Sequence, residues 1–512
     1  MKGMMNRISP RSARVSRPRR LADRRSLSHR EAFGRASGSV GRPATTVVKR
    51  IKKCVLGALL LAGLAAGTPG TAWAQQFFSR PEVPGYDTPD WQQVQRTAQP
   101  RSTALEYLDV AALAVGLTLA TYLALVRRSR WGLLGLAAAS VLWLGFWRKG
   151  CVCPIGAIQN VTLGLFDPGY TVPLTVLAFF ALPLVFTLFF GRTFCAAVCP
   201  LGAVQELVAV RPVRVPRWLE QALGLVPYVY LGAAVALAAT GAGFIICRYD
   251  PFVGFFRLSA GAGMLVFGAL LLVIGMFVGR PYCRFLCPYG AILGLLSRAS
   301  KWHADIPPEK CINCRLCEDV CPYGAIRGPT VTPTAAQRRA GRRRLAAVLA
   351  LAPVLIGAGA WLGSTLEVPL SWTHPVVRQA ERVRLEETAA AAGRDLGTTD
   401  ASDAFRNSGR AGAELYTEAL ALRGRFGVAG TLLGAWVGLI LAAKLVHLSI
   451  RRRRDDYRPD RAACVSCGRC FEYCPLEQVR RGWIQDVAEV VPQAHAERQT
   501  EQPSGRELVL DR

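Results

Sequence analysis

The sequence predicts an all-α polytopic membrane protein with about seven transmembrane helices. Apolar residues make up 51% of the 512, and mean hydropathy is +0.24, yet the formal charge is +28. Apolar and basic residues must therefore occupy different stretches, as they do in membrane proteins. The apolar stretches also lack the polar face that a buried helix of a soluble protein shows, as in Leu265–Val278. This much apolar and aromatic content excludes disorder for most of the chain. Sixteen cysteines are too sparse for a small disulfide scaffold, so their spacing must say what they do.

Residues 1–48 read as a basic, unstructured leader. Sixteen Lys or Arg stand in residues 1–53 against only Asp23 and Glu31. A nucleic-acid arm has similar composition, but this one precedes a targeting signal, and no nucleic-acid partner is expected. Residues 49–74 read as a signal peptide: Val47–Lys53 supplies the charged end, Val55–Ala66 the apolar stretch and Ala72-Trp73-Ala74 the small-x-small site. The alternatives are an uncleaved anchor and a start nearer position 47. Cys54 falls in this stretch and is read as merely apolar.

After an exported segment, 75–104, the expected spans are Leu105–Val126, Trp131–Trp147, Val172–Phe190, Ala222–Ile246, Leu258–Val278, Leu345–Leu362 and Gly427–Ile450. If the signal exports residue 75, the runs at Arg127–Arg130, Arg211–Arg217, Arg280–Arg284, Arg338–Arg344 and Arg451–Arg454 all fall inside, as the positive-inside rule requires. That orientation places the chain in the bacterial inner membrane. It also makes residues 363–426 an outside domain, with a helical pattern near Val376–Ala392.

Within the membrane core, 105–300, a basic residue and a cysteine–proline turn recur after three apolar spans. The copies carry Cys151 and Cys153 (C-x-C-P), then Cys195 and Cys199, then Cys283 and Cys287 (both C-x3-C-P). The last four thiols are expected to converge near the inner membrane surface. They are read as ligands of a further cluster, as redox thiols or other metal ligands, or as small packing residues. Cys151, Cys153 and Cys247 are expected on the outer face, where a disulfide from Cys247 to one of the others is one reading.

Two runs spell C-x2-C-x2-C-x3-C-P: Cys311, Cys314, Cys317, Cys321 in a first half (301–344), and Cys464, Cys467, Cys470, Cys474 in a second (451–480). Zinc sites usually separate their C-x2-C pairs further. Three thiolates at this spacing surround one iron–sulfur cube, and in two-cluster ferredoxins the fourth serves the other cube. Two [4Fe–4S] clusters are therefore expected, one on Cys311, Cys314, Cys317 and Cys474, the other on Cys464, Cys467, Cys470 and Cys321. Two spans flanking 363–426 divide this ferredoxin-like module. Being an even number, they return the chain to the same, cytoplasmic, face. Residues 481–512 form a tail. No Cys-x-x-Cys-His and no Gly-rich nucleotide fingerprint occurs, so neither haem nor a dinucleotide is expected.

The two C-x3-C-P turns after membrane helices, followed by the two ferredoxin runs, resemble the NosR/NapH group of membrane iron–sulfur proteins. They are also similar to the CcoG-type oxidase assembly proteins. The resemblance covers roughly residues 105–330 and 460–476. It implies electron transfer between cytoplasmic donors or the quinone pool and a periplasmic respiratory or reductase system. The eight ferredoxin cysteines would match that group's cluster ligands, and Cys195, Cys199, Cys283 and Cys287 its membrane-proximal motifs. The Cys151/Cys153 turn and the insertion at 363–426 go beyond the NapH-like plan. A second functional reading is a redox assembly factor, a metal or thiol reductase serving a periplasmic metalloenzyme.

Overall fold

A computed structural model describes residues 102–490, except 150–152, 211–212, 258–260, 307–310, 331, 451–452 and 488–489. The leader, the signal, the exported segment up to residue 101, Cys54 and Cys151 lie outside the described residues. The chain is mostly helical. Among the described residues, five helices are long and apolar enough to cross a membrane: Thr103–Val126, Arg130–Trp147, Arg217–Ala239, Ala335–Ser364 and Gly412–Ser449. Pro251–Arg257 and Ala262–Phe277 make a sixth if counted together, and Leu174–Phe190 is a shorter apolar helix of 17 residues.

The described part of each of the seven expected spans falls largely on helix; the helix of Leu345–Leu362 already begins at Ala335, and two further spans differ in extent. The stretch expected as Ala222–Ile246 stops at Ala239, because Gly241 and Gly243 take positive φ (75° and 140°) and break the ladder before a second helix, Ile245–Tyr249. The span expected from Gly427 instead belongs to one continuous 38-residue helix that begins at Gly412. No proline interrupts it, so the last helix of the insertion runs straight into the membrane stretch. In the insertion, Pro375–Ala391 and Asp400–Asn407 pack on this helix around Val377, Val383, Phe405, Leu415 and Leu422.

The core that positions the cysteines is built from short helices tucked against long ones. Thr103–Thr121 and Arg130–Ser140 both pack on Phe194–Val198. Thr121 and Thr193 meet at 3.2 Å, and the Ser140 hydroxyl donates to Val198 O. Each cysteine–proline turn opens a helix with proline in its first turn, where a missing N–H costs nothing: Pro154–Phe166, Pro200–Leu207 and Pro288–Ser297.

The two ferredoxin halves meet through a two-stranded antiparallel sheet, Ile326–Arg327 against Arg458–Pro459, with Ile326 opposite Pro459. Asp460 N donates to Ala325 O at 2.7 Å and Thr330 N to Arg454 O at 2.8 Å, extending the join. Beneath it lies one apolar cluster drawn from both halves, including Ile306, Tyr323, Ile326, Tyr457, Val465 and Phe471.

Candidate metal centres

The two cysteine runs share a backbone trace. Asn313 and Arg315 in the first, and Ser466 and Gly468 in the second, occupy equivalent positions and all have positive φ, between 54° and 80°. Left-handed residues alternating with cysteines turn successive N–H groups towards one side, an arrangement that suits a negatively charged group. Asn313 N lies 3.4 Å from Cys311 Sγ, and backbone N–H groups of Ser466 and Arg469 serve Cys464 and Cys467 in the same way. Three of these left-handed residues are not glycine, a strained choice that this geometry requires.

The thiols sort into the two crossed sets. Cys311, Cys314, Cys317 and Cys474 line one small cavity with Ile306, Ile312, Arg315, Tyr457 and Leu476. The electrostatic neighbours of Cys317 are Cys314, Cys474 and Cys311, in that order. Those of Cys470 begin with Cys464, Cys467 and Cys321. Burial first, and neighbouring sulfurs among the further causes, push Cys317 and Cys467 up to about 12. Thiols held up in this way become thiolates together only around a cationic core, and binding it releases protons. Among the described residues, no three of His, Cys, Asp and Glu are arranged to hold a single metal ion. With N–H donors around each run and four sulfurs per set, the chemistry of the donors fits an iron–sulfur cluster.

A third set gathers where the second and third turns meet. Cys283 and Cys195 are neighbours of both Cys199 and Cys287. The arrangement is pseudo-symmetric, because each turn's arginine reaches the other turn's glycine. A side chain on Gly202 would meet Arg280 Nη1 at 3.2 Å, and one on Gly290 would meet Arg192 Nη2 at 3.4 Å. Arg280, 1% exposed, donates to Cys195 O and to Ala196 O (3.0 Å). Arg192 stands 3.8 Å from Cys195 Sγ and donates to Ala462 O at 2.9 Å. Gln205 Nε2 approaches Cys283 Sγ at 3.3 Å. Beside this set opens a cavity of about 610 Å³, lined by Cys283, Cys287, Arg192, Arg280, Tyr323 and Arg461 among others.

Glu206 joins the third set to the ferredoxin module. Its carboxylate accepts from Arg280 Nε (3.1 Å), Arg130 Nη2 (3.2 Å), Arg469 Nη2 (3.1 Å) and the Tyr323 hydroxyl (2.6 Å). Burial alone would raise it, but Arg280, then Arg469, Tyr323 and Arg130, reverse that and hold it near 2. Cysteine spacing by itself points to none of Arg192, Arg280, Gln205 or Glu206. The two arginines had a visible signal, the Gly-Arg pair before each C-x3-C-P. Glu206 had none.

Two family models, each described as a 4Fe-4S binding domain, match this chain, one over residues 172–225 and 260–307 and one over 304–327. The first covers both C-x3-C-P turns and the second covers the first cysteine run. Relatives include the Escherichia coli protein YccM, 30% identical over 151 residues, which are 26% of this chain and 42% of the relative. Protein NirI of Paracoccus denitrificans is 32% identical over 204 residues, 36% of this chain and 30% of NirI. The regulatory protein NosR of Stutzerimonas stutzeri is 27% identical over 200 residues, 36% of this chain and 28% of NosR. The chain is related to the NosR/NapH group of membrane iron–sulfur proteins. It spans less than half the length of each of these three relatives. No solved structure matches it. For this NosR/NapH-like chain the 4Fe-4S assignment reaches the first run directly, while Cys464–Cys474 lies outside the matched ranges and rests on its spacing and its strand pairing.

Of the three cysteines expected on the outer face, Cys151 lies outside the described residues. Cys153 and Cys247 are brought together: the site a Cβ on Gly156 would occupy is 3.5 Å from Cys153 Sγ and 3.0 Å from Cys247 Sγ. Tyr282, next to Cys283 in the chain, has both Cys287 and Cys153 among its electrostatic neighbours.

Proposed function

We propose that the chain is a membrane-bound iron–sulfur electron-transfer protein, linking clusters on the cytoplasmic side, the quinone pool and a periplasmic respiratory or reductase system. The observation that carries this reading is the strand pairing that draws two distant cysteine runs into crossed sets of four thiols. Cys311, Cys314, Cys317 and Cys474 would hold one [4Fe–4S] cluster, and Cys464, Cys467, Cys470 and Cys321 the other. Cys195, Cys199, Cys283 and Cys287 would hold a third. Such a cube, when bound, changes by one electron with little ligand rearrangement. The chain's own part is to hold, orient and shield. Arg192 and Arg280 place buried positive charge beside the third set, and Glu206 locks that set to the ferredoxin module through Arg469 and Tyr323. The basic runs at Arg127–Arg130 and Arg338–Arg344 support a cytoplasmic ferredoxin side.

The test is iron and acid-labile sulfide per chain on anaerobically purified protein, with EPR after dithionite reduction. About twelve irons, falling by a third when Cys199 and Cys287 become Ser, is the expected result. About eight, unchanged by those substitutions, would leave the third set to thiol or metal chemistry and favour an assembly factor instead. Fewer than four would sink the electron-transfer reading.

A further inference from the structure

We infer that Cys153 and Cys247 form a redox-active dithiol/disulfide couple, open to thiol–disulfide exchange with a dithiol partner through Cys247. Cys153 caps the helix Pro154–Phe166, and its sulfur accepts from Gly156 N at 3.2 Å. Cys247 is exposed on the short helix Ile245–Tyr249, which is docked to the first helix by Gln159 Oε1 accepting from Ile246 N at 3.0 Å. Both sulfurs border Gly156: a Cβ there would crowd Cys247 Sγ at 3.0 Å and make ordinary contact with Cys153 Sγ at 3.5 Å. With glycine at 156, the space that both sulfurs border stays open for the side-chain rotation that a bond between them requires. Exposed Arg248 follows Cys247 directly in the chain, a charged neighbour for a water-borne partner.

The exchange balances on the chain's own atoms. A partner thiolate attacks Cys247 Sγ of the oxidised pair, forming a mixed disulfide and releasing Cys153 as a thiolate facing Gly156 N–H. Cys153 then takes up a proton, and the partner's second thiol displaces Cys247, which is protonated in turn. The partner loses two electrons and two protons and becomes a disulfide, and the chain gains them as two thiols. Burial, and next the carboxylate of Asp250, push the Cys153 thiol up to about 12. A high-pKa thiol is a slow leaving group and a poorly stabilised thiolate, so the couple belongs at the reducing end of the biological range. This couple needs no cluster, so it stands or falls separately from the electron-transfer reading.

The test equilibrates the full chain, in membranes, with buffers of oxidised and reduced dithiothreitol, followed by acid quenching, alkylation and peptide mass spectrometry. The expected result is a peptide linking Cys153 to Cys247, its ratio to the reduced form changing tenfold for each tenfold change in the buffer ratio. Cys247→Ser should leave Cys153 alkylatable at every ratio with iron per chain unchanged, which shows that the variant folds. Full alkylation of both cysteines at every ratio would overturn the inference, and so would linkage of either one to Cys151. Low iron with the expected linkage would count against the cluster reading alone.

Discussion

Glu206 is the residue on which the join between membrane core and ferredoxin module turns. Four donors converge on one buried carboxylate, two of them, Arg469 and Tyr323, contributed by opposite halves of the module. Removing one partner of a buried ion pair strands the others and costs about 3–5 kcal/mol. Glu206→Gln is therefore expected to lower the thermal midpoint of the purified protein and to raise protease sensitivity at residues 461–480, with the membrane helices intact by circular dichroism. The pH dependence has a definite sign. Its pKa is held near 2 against an ordinary 4.5, so its stabilisation is fully present above pH 4.5. That stabilisation, about 3 kcal/mol by linkage, is lost as pH falls towards 2. Denaturation midpoints at pH 6 and pH 3 should differ in the wild type and converge in Glu206→Gln. Equal differences in both proteins would refute this account.

At the scale of elements, the helix pair Ala335–Ser364 and Gly412–Ser449 decides whether the second cysteine run returns to the first. These helices touch backbone to backbone. A Cβ on Gly434 would overlap Gly359 O, one on Gly363 would overlap Gly430 O, and one on Gly438 would overlap Leu355 O. Small residues allow such an approach in lipid, where packing rather than water exclusion holds helices together. Gly434→Ala is expected to cost about 1–3 kcal/mol through forced separation. Gly424→Ala lies on the same helix, and its added methyl meets nothing within 4 Å. It should be neutral or stabilise by up to about 1 kcal/mol through helix propensity. Denaturation in mixed micelles measures both, and equal effects would show that the contact does not hold the pair.

For the molecule as a whole, the consequence is that one functional unit is assembled from sequence segments about 150 residues apart. The crossed sets make a specific claim about this assembly. Cys474→Ser should erase the same EPR signal as Cys314→Ser, and Cys321→Ser the same signal as Cys467→Ser, each losing about four irons. Signals that pair Cys474 with Cys467 would mean each run serves its own cube. The split also predicts that neither half, expressed alone, retains its cluster, because the apolar cluster beneath the strands takes Tyr323 and Ile326 from one half and Val465 and Phe471 from the other.

Periodicity alone was enough to locate the long apolar helices, and spacing alone to single out the eight cysteines proposed as cluster ligands. Both are local properties: a run of apolar residues is helical wherever it lies in a bilayer, and C-x2-C-x2-C bends around a cube by its own backbone. The convergence of Cys195, Cys199, Cys283 and Cys287 was also legible, because a repeated turn after equivalent helices implies symmetry. Other features depended on the tertiary structure. Helix ends shifted where glycines took positive φ, at Gly241 and Gly243, which composition does not reveal. Glu206 became the centre of a four-donor site only because Arg130, Arg280, Tyr323 and Arg469, spread over more than three hundred residues, arrive at one point. Cys153 and Cys247, far apart in sequence, both come to border Gly156. Such contacts are set by how helices pack at long range, and no single stretch of sequence carries that information.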